Sequence, residues 1–119
     1  MDLPIYHVLN KSIAGYQIFN NEEEFCRFKE LMIYYFLDDS GVSYSKYLEQ
    51  PKEIKTGILN TNKKNQVLVN IIAYCLMPTH FHMILEEKSE AGISKFTNRV
   101  LSGYSHYFNN VHQRRGPLW

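Results

Sequence analysis

Two strand-like runs separated by only two residues constrain this chain more than any other feature. Val67 to Met77 (VLVNIIAYCLM) is rich in β-branched and aromatic residues, and His80 to Glu86 (HFHMILE) follows directly after Pro78-Thr79. So short a link leaves no room for a crossover, so the two runs are expected to be antiparallel neighbours. The first run is apolar enough to read as a strand buried on much of both faces. In the second, side chains alternate with period two, so His80 and His82 point one way and Phe81 points into the core.

The other elements follow from periodicity. Ile5 to Lys11 (IYHVLNK) reads as a first short strand. Asn21-Glu22-Glu23-Glu24 has the capping-box spacing. Phe25, Phe28, Leu31, Met32, Tyr35 and Phe36 then recur at three- and four-residue intervals, which predicts an amphipathic helix to about Leu37. Asp38-Asp39-Ser40-Gly41 stops it. Val42 to Gln66 is polar and broken by Pro51 and Gly57. It reads as a short helix or two, with a turn at Asn60-Thr61-Asn62. A loop from Glu87 to Gly92 leads into a second main helix from Ile93 to about Val111, closed by Gly116-Pro117. The order strand, helix, strand, strand, helix predicts an α+β fold. It is a ferredoxin-like antiparallel sheet with two main helices on one face, one strand short of a split βαβ sandwich.

Composition narrows the class. At 119 residues the chain reads as one domain. No apolar run approaches the roughly 18 to 20 residues that a membrane helix needs, and Met1-Asp2-Leu3-Pro4 lacks the pattern of a secretory signal. Cys26 and Cys75 sit in apolar stretches and read as buried, reduced thiols of a cytoplasmic protein. The formal net charge of +1 conceals an asymmetry. Every carboxylate side chain lies at or before Glu90, whereas Lys95, Arg99, His106, His112, Arg114 and Arg115 follow it. Such a segment suits a surface that meets phosphates. A solvated basic helix face gives the same pattern.

Two imidazoles on one face of a strand can grip a divalent cation and leave positions open for another ligand or a substrate oxygen. A bare His-x-His also occurs as two surface histidines on an edge strand. The surrounding residues point further. Tyr74-Cys75-Leu76-Met77-Pro78-Thr79-His80-Phe81-His82-Met83-Ile84-Leu85 resembles the segment of single-tyrosine transposases that carries their His-hydrophobe-His (HUH) motif. The likeness is closest to the group associated with repetitive extragenic palindromes, with Thr79 where Asn is usual. Tyr6-His7-Val8 and Lys11 resemble that family's opening strand, although Arg-Gly is usual at Lys11-Ser12. Ile18-Phe19 resembles the approach to its first helix. Ile93-Ser94-Lys95-Phe96, Tyr104 to Asn109 and Gly116-Pro117-Leu118-Trp119 resemble its second helix and exit.

The resemblance implies an enzyme that nicks single-stranded DNA, often beside a hairpin, through a 5′-phosphotyrosine, and then transfers the strand. His80 and His82 would hold Mg²⁺ or Mn²⁺, and the protein would act as a homodimer. In that family the nucleophilic tyrosine lies on a further helix, so here it is expected beyond Trp119, with the last strand. The chain would then be a C-terminally truncated member, and the alternative is a catalytically inactive hairpin-binding remnant. A third reading is a small metal-binding or RNA-binding ferredoxin-like domain that shares only the sheet. Tyr104 and Tyr107 are fallback nucleophiles only. They fall with Phe96, Val100, Leu101, Phe108 and Val111 in one apolar arc at about 100° per residue. Lys95, Arg99, Ser102 and His106 gather opposite. Lys95, Arg99 and His106, with Lys11, Arg114 and Arg115, are the candidate DNA contacts. His7 could support the site from the neighbouring strand but reads first as a satisfied core histidine, Tyr74 reads as packed, and Glu86 and Glu87, which could approach the cation, read as solvated.

Overall fold

Strands β1 (Ile5–Lys11), β2 (Val69–Met77) and β3 (His80–Glu87) form one antiparallel sheet in the order β1-β3-β2. The computed structural model describes residues 4–38 and 41–119, so the Asp39-Ser40 part of the expected helix stop lies outside the described residues. The short link acts as expected, since Met77 stands opposite His80 at the closed end of the β2–β3 hairpin. The carbonyls of this turn are held by the chain that follows β1. Ser12 N–H donates to Thr79 O (2.9 Å), and Ile18 N–H donates to Pro78 O (2.7 Å).

The expected two-sided burial of β2 is corrected by its place at the sheet edge. Ala73, Tyr74 and Cys75 are exposed, because the helices cover only one face and no strand flanks β2 on its outer side among the described residues. Tyr74, read as packed, is 49% exposed. A register shift between Ile71 and Ala73 leaves Ile72 without a partner on β3.

Helix α1 (Glu22–Tyr35) begins at Asn21, whose side chain accepts from Glu24 N–H (3.0 Å). The other arm of the expected box is displaced by one residue, for the Glu24 carboxylate accepts from Asn20 N–H (2.8 Å). It also accepts from His112 Nε2 (2.6 Å), at the far end of the chain. The helix stops before Leu37, which forms an isolated antiparallel bridge with Val67. Between those two residues the chain makes an excursion through α2 (Tyr44–Leu48) and α3 (Lys52–Asn62). Asn60-Thr61-Asn62 is therefore the last turn of α3 and not a separate turn. Gly57 does not break this helix, at the usual cost of about 1 kcal/mol relative to Ala. The excursion is docked on α1 by tyrosines: Tyr34 Oη donates to Val42 O (2.6 Å), and Tyr44 N–H donates to Tyr35 Oη (2.9 Å).

Helix α4 (Gly92–Val111) brings Phe96, Val100, Tyr104 and Phe108 into one core with Phe28 and Leu31 of α1 and with Phe81, Met83 and Leu85 of β3. The result is an α+β, ferredoxin-like layer with helices on one sheet face. Val111, assigned to the apolar arc, is exposed at the last turn. Gly92 sits where a Cβ would come within 2.2 Å of Leu68 O, so the start of α4 approaches the chain entering β2 as only glycine permits.

Two outcomes are expected. Gly92→Ala should destabilise the fold by about 1–3 kcal/mol, read by urea denaturation, because the clashing atom is backbone and cannot swing aside. Glu24→Gln should cost about 1–3 kcal/mol near neutral pH by removing a buried charged acceptor. The Glu24 carboxyl is held below its ordinary value of 4.5: burial raises it, but the bonds from Asn20 and His112 together outweigh that. A depressed folded value gives stability that is present above 4.5 and lost as pH falls through the folded value. The gap between wild type and Glu24→Gln should therefore close in acid.

Candidate functional site

The alternation of β3 separates the two groups of side chains that matter. Phe81 is fully buried beneath α1 and α4, while His80 and His82 lie half-buried on the opposite face, which no helix covers among the described residues. Directly opposite residues of an antiparallel pair share a face, so the register gives the rest of this surface. Lys11 faces His80 and Leu9 faces His82 across β1, while Met77 and Cys75 stand opposite them across β2. Cys75, expected to be buried, is exposed here beside His82, and Cys26 is half-buried.

The two imidazoles have ring centres 5.2 Å apart and nearly perpendicular planes, at 84°. Each is held through its Nδ1. Thr79 Oγ1 lies 3.2 Å from His80 Nδ1, and His7 Nε2 lies 2.9 Å from His82 Nδ1. His7 is thus not a core histidine. It is exposed, on β1, one diagonal step from His82. Neither Nε2 makes a hydrogen bond to another described residue, and two imidazole nitrogens on one strand face are a donor set that fits a divalent cation. No group of three or more His, Cys, Asp or Glu side chains able to hold a metal occurs among the described residues. A cation held by the pair would need its remaining ligands from water or from groups outside these side chains. Glu86 and Glu87 do not complete it. Glu87 Oε2 accepts from Ile93 N–H (3.1 Å) at the start of α4, and Glu86 lies near Asn70 and Lys88.

The basic segment is partly neutralised by folding. Arg99 donates to Asp38 Oδ1 (2.7 Å), and His112 is taken by Glu24. Arg114 braces the C-terminal turn through Asn109 Oδ1 (2.7 Å) and Pro117 O (3.1 Å), with its guanidinium over the Tyr16 ring. Lys95, His106 and Arg115 are exposed. His106 and Arg99 line a cleft of about 520 Å³ with Arg27, Tyr44 and Tyr107, in the helical layer and so across the sheet from His80 and His82. Of the expected DNA contacts, Lys11 shares the histidine face.

None of the strand tyrosines shares that face, because Tyr6 pairs with Leu85 and Tyr74 with Met83, whose side chains point inward. Tyr104 is buried and its hydroxyl donates to Ile18 O. Burial, with smaller contributions from Glu24 and Tyr107, pushes its phenol far above the ordinary value. Tyr107 is raised too, chiefly by burial, with the Arg27 guanidinium 4.3 Å from its ring centre opposing the rise.

The sequence reading preferred a core role for His7 over support of the site from the neighbouring strand, and it missed the two ion pairs that reach back from the basic segment. The signal for His7 was available. It has the same parity as Lys11 on a strand that borders the His80 strand, so both share its face once the register is known.

No helix among the described residues is long and apolar enough to cross a membrane. No curated protein and no solved structure matches the chain significantly. A family model described as "Transposase IS200 like" matches residues 42–119, which include both β2 and β3, the two histidines and all of α4. That match covers more than half of the chain, so this protein belongs to the IS200-like transposase family.

Proposed function

We propose that the uncovered face of β3 is where a phosphodiester of single-stranded DNA is held for transesterification. The observation that carries this reading is the pair of half-buried imidazoles on one strand face, each bonded through Nδ1, with Lys11 opposite His80 in the register. Mg²⁺ or Mn²⁺ bound there would neutralise charge on the phosphate oxygens. Lys11 adds a fixed positive charge at the same edge, suited to an adjoining phosphate. In the reaction a tyrosine hydroxyl attacks phosphorus, the bond from phosphorus to the 3′ oxygen breaks, and a tyrosyl bond to the 5′ phosphate forms. The displaced 3′ oxygen leaves as a hydroxyl. A later 3′ hydroxyl reverses the exchange and joins strands.

The attacking tyrosine on this reading is none of Tyr6, Tyr74 and Tyr104. Ionising Tyr104 would break its bond to Ile18 and place a charge in the core, and Tyr6 and Tyr74 point to the other side of the sheet. The same observations favour a second reading for these residues by themselves, a module that binds a DNA hairpin without cutting it. Lys95, His106 and Arg115 then offer phosphate contacts on the helical side, where duplex DNA of a hairpin could lie while its single strand reaches the histidines. A homodimer, with sheet edges of β1 or β2 available for pairing, is part of the proposal.

Four measurements test it. Titration with Mn²⁺, followed by loss of the free-ion electron paramagnetic resonance signal, should saturate for wild type and not for His80→Ala. Equal binding by the two proteins would remove the histidine site. A labelled hairpin oligonucleotide should be retarded on a native gel, and Lys11→Ala should lower the slope of log affinity against log salt by about 1. No protein-linked DNA should appear on a denaturing gel with Mn²⁺ present, and Tyr104→Phe should cost about 1–2 kcal/mol of stability with hairpin binding unchanged. A covalent adduct lost in Tyr104→Phe would overturn the assignment of that residue to the core.

A further inference from the structure

His7 and His82 form an in-plane pair. Their ring planes differ by only 21°, and the ring centres are 5.1 Å apart. That separation is close to the 2.9 Å Nε2–Nδ1 distance plus one ring radius at each end, so the bond runs nearly along the line of centres. The rings therefore meet edge to edge, with the lone pair of one nitrogen aimed at the N–H of the other, and do not stack face to face. The two residues come from adjacent strands. His7 pairs with Ile84 and His82 with Leu9, which makes them diagonal neighbours on the uncovered face, within reach of long side chains.

One bond of this kind contains one proton, and its position decides what His82 can do. If His7 Nε2 donates, neutral His82 accepts at Nδ1 and keeps its own proton on Nε2, which then cannot ligate. If His82 Nδ1 donates, Nε2 keeps a bare lone pair on the open side of the sheet. We propose that His7 is the positioning residue of His82: it accepts the Nδ1–H through its own Nε2, fixes the ring plane, and leaves His82 Nε2 as the nitrogen offered to a divalent cation. His7 is not itself a ligand in this arrangement, since the nitrogen it turns toward the site is the one spent on His82. Outer partners that fix the tautomer of a ligating histidine commonly change metal affinity by about 10- to 100-fold when removed. The inference rests on the metal-binding reading above.

The test compares wild type, His7→Phe, His7→Gln and His80→Ala. Gln keeps an acceptor at about the reach of Nε2, whereas Phe keeps the ring and removes the acceptor. The affinity for Mn²⁺ alone should fall roughly 10-fold or more in His7→Phe and stay within about 3-fold of wild type in His7→Gln. Thermal unfolding should be nearly unchanged in both, since His7 is an exposed side chain. Nitrogen-15 spectra of the imidazoles in Mg²⁺-loaded wild type should show His82 protonated at Nδ1. Binding that is lost in His80→Ala but equal to wild type in His7→Phe would overturn the role of His7 and leave the metal site intact. So would protonation of His82 at Nε2 in the loaded protein. Absence of saturable Mn²⁺ binding by wild type would overturn both.

Discussion

Strand β3 is hydrogen-bonded on both sides, so neither its register nor its choice of face is free. A slip by one residue would turn Phe81, Met83 and Leu85 out into water and push two imidazoles under α1 and α4. Burying each of those apolar side chains is worth about 1.5–3 kcal/mol, so the slipped arrangement is disfavoured by several such contributions together. The position of His80 and His82 on the uncovered face is therefore fixed by the core on the other side. What holds the fold also aims the site.

The same one-sidedness explains where sequence reading succeeded. The β2–β3 hairpin, the amphipathic span of α1 and the buried row of α4 follow from spacing alone, because each spacing has one low-energy solution against a single core. Phe81 and its two histidine neighbours are legible for the same reason. The burial of β2 was not, since Ala73, Tyr74 and Cys75 are as apolar as a central strand requires, and only the strand order shows that they lie at an edge. The limits of α2 and α3 were hidden because Gly57 and the polar residues around it are weak formers of any structure. Docking through Tyr34, Tyr35 and Tyr44 settles them.

Charge is set by tertiary neighbours as much as by sequence. A stretch without carboxylates after Glu90 looks uniformly basic in sequence, yet Glu24 and Asp38 are brought to it by tertiary packing. Pairing of that kind connects residues separated by 88 and 61 positions, and no local pattern encodes it. His7 belongs to the same class. It shares strand parity with Lys11, but its partner is identifiable only with the β1–β3 register. The residues legible in advance are those answering to a local period, and the rest answer to neighbours supplied by the fold.

The bridge between Leu37 and Val67, reinforced by Leu68 N–H donating to Phe36 O at 2.8 Å, ties together the two ends of the α2–α3 excursion. Once the ends of a loop are clamped, the entropy of closing it grows only with the logarithm of its length, about 0.6 kcal/mol for each doubling. The segment between these ends can thus lengthen, shorten or change sequence while β2 still enters the sheet in the same register. It is a place where this scaffold can acquire new surface without moving a histidine.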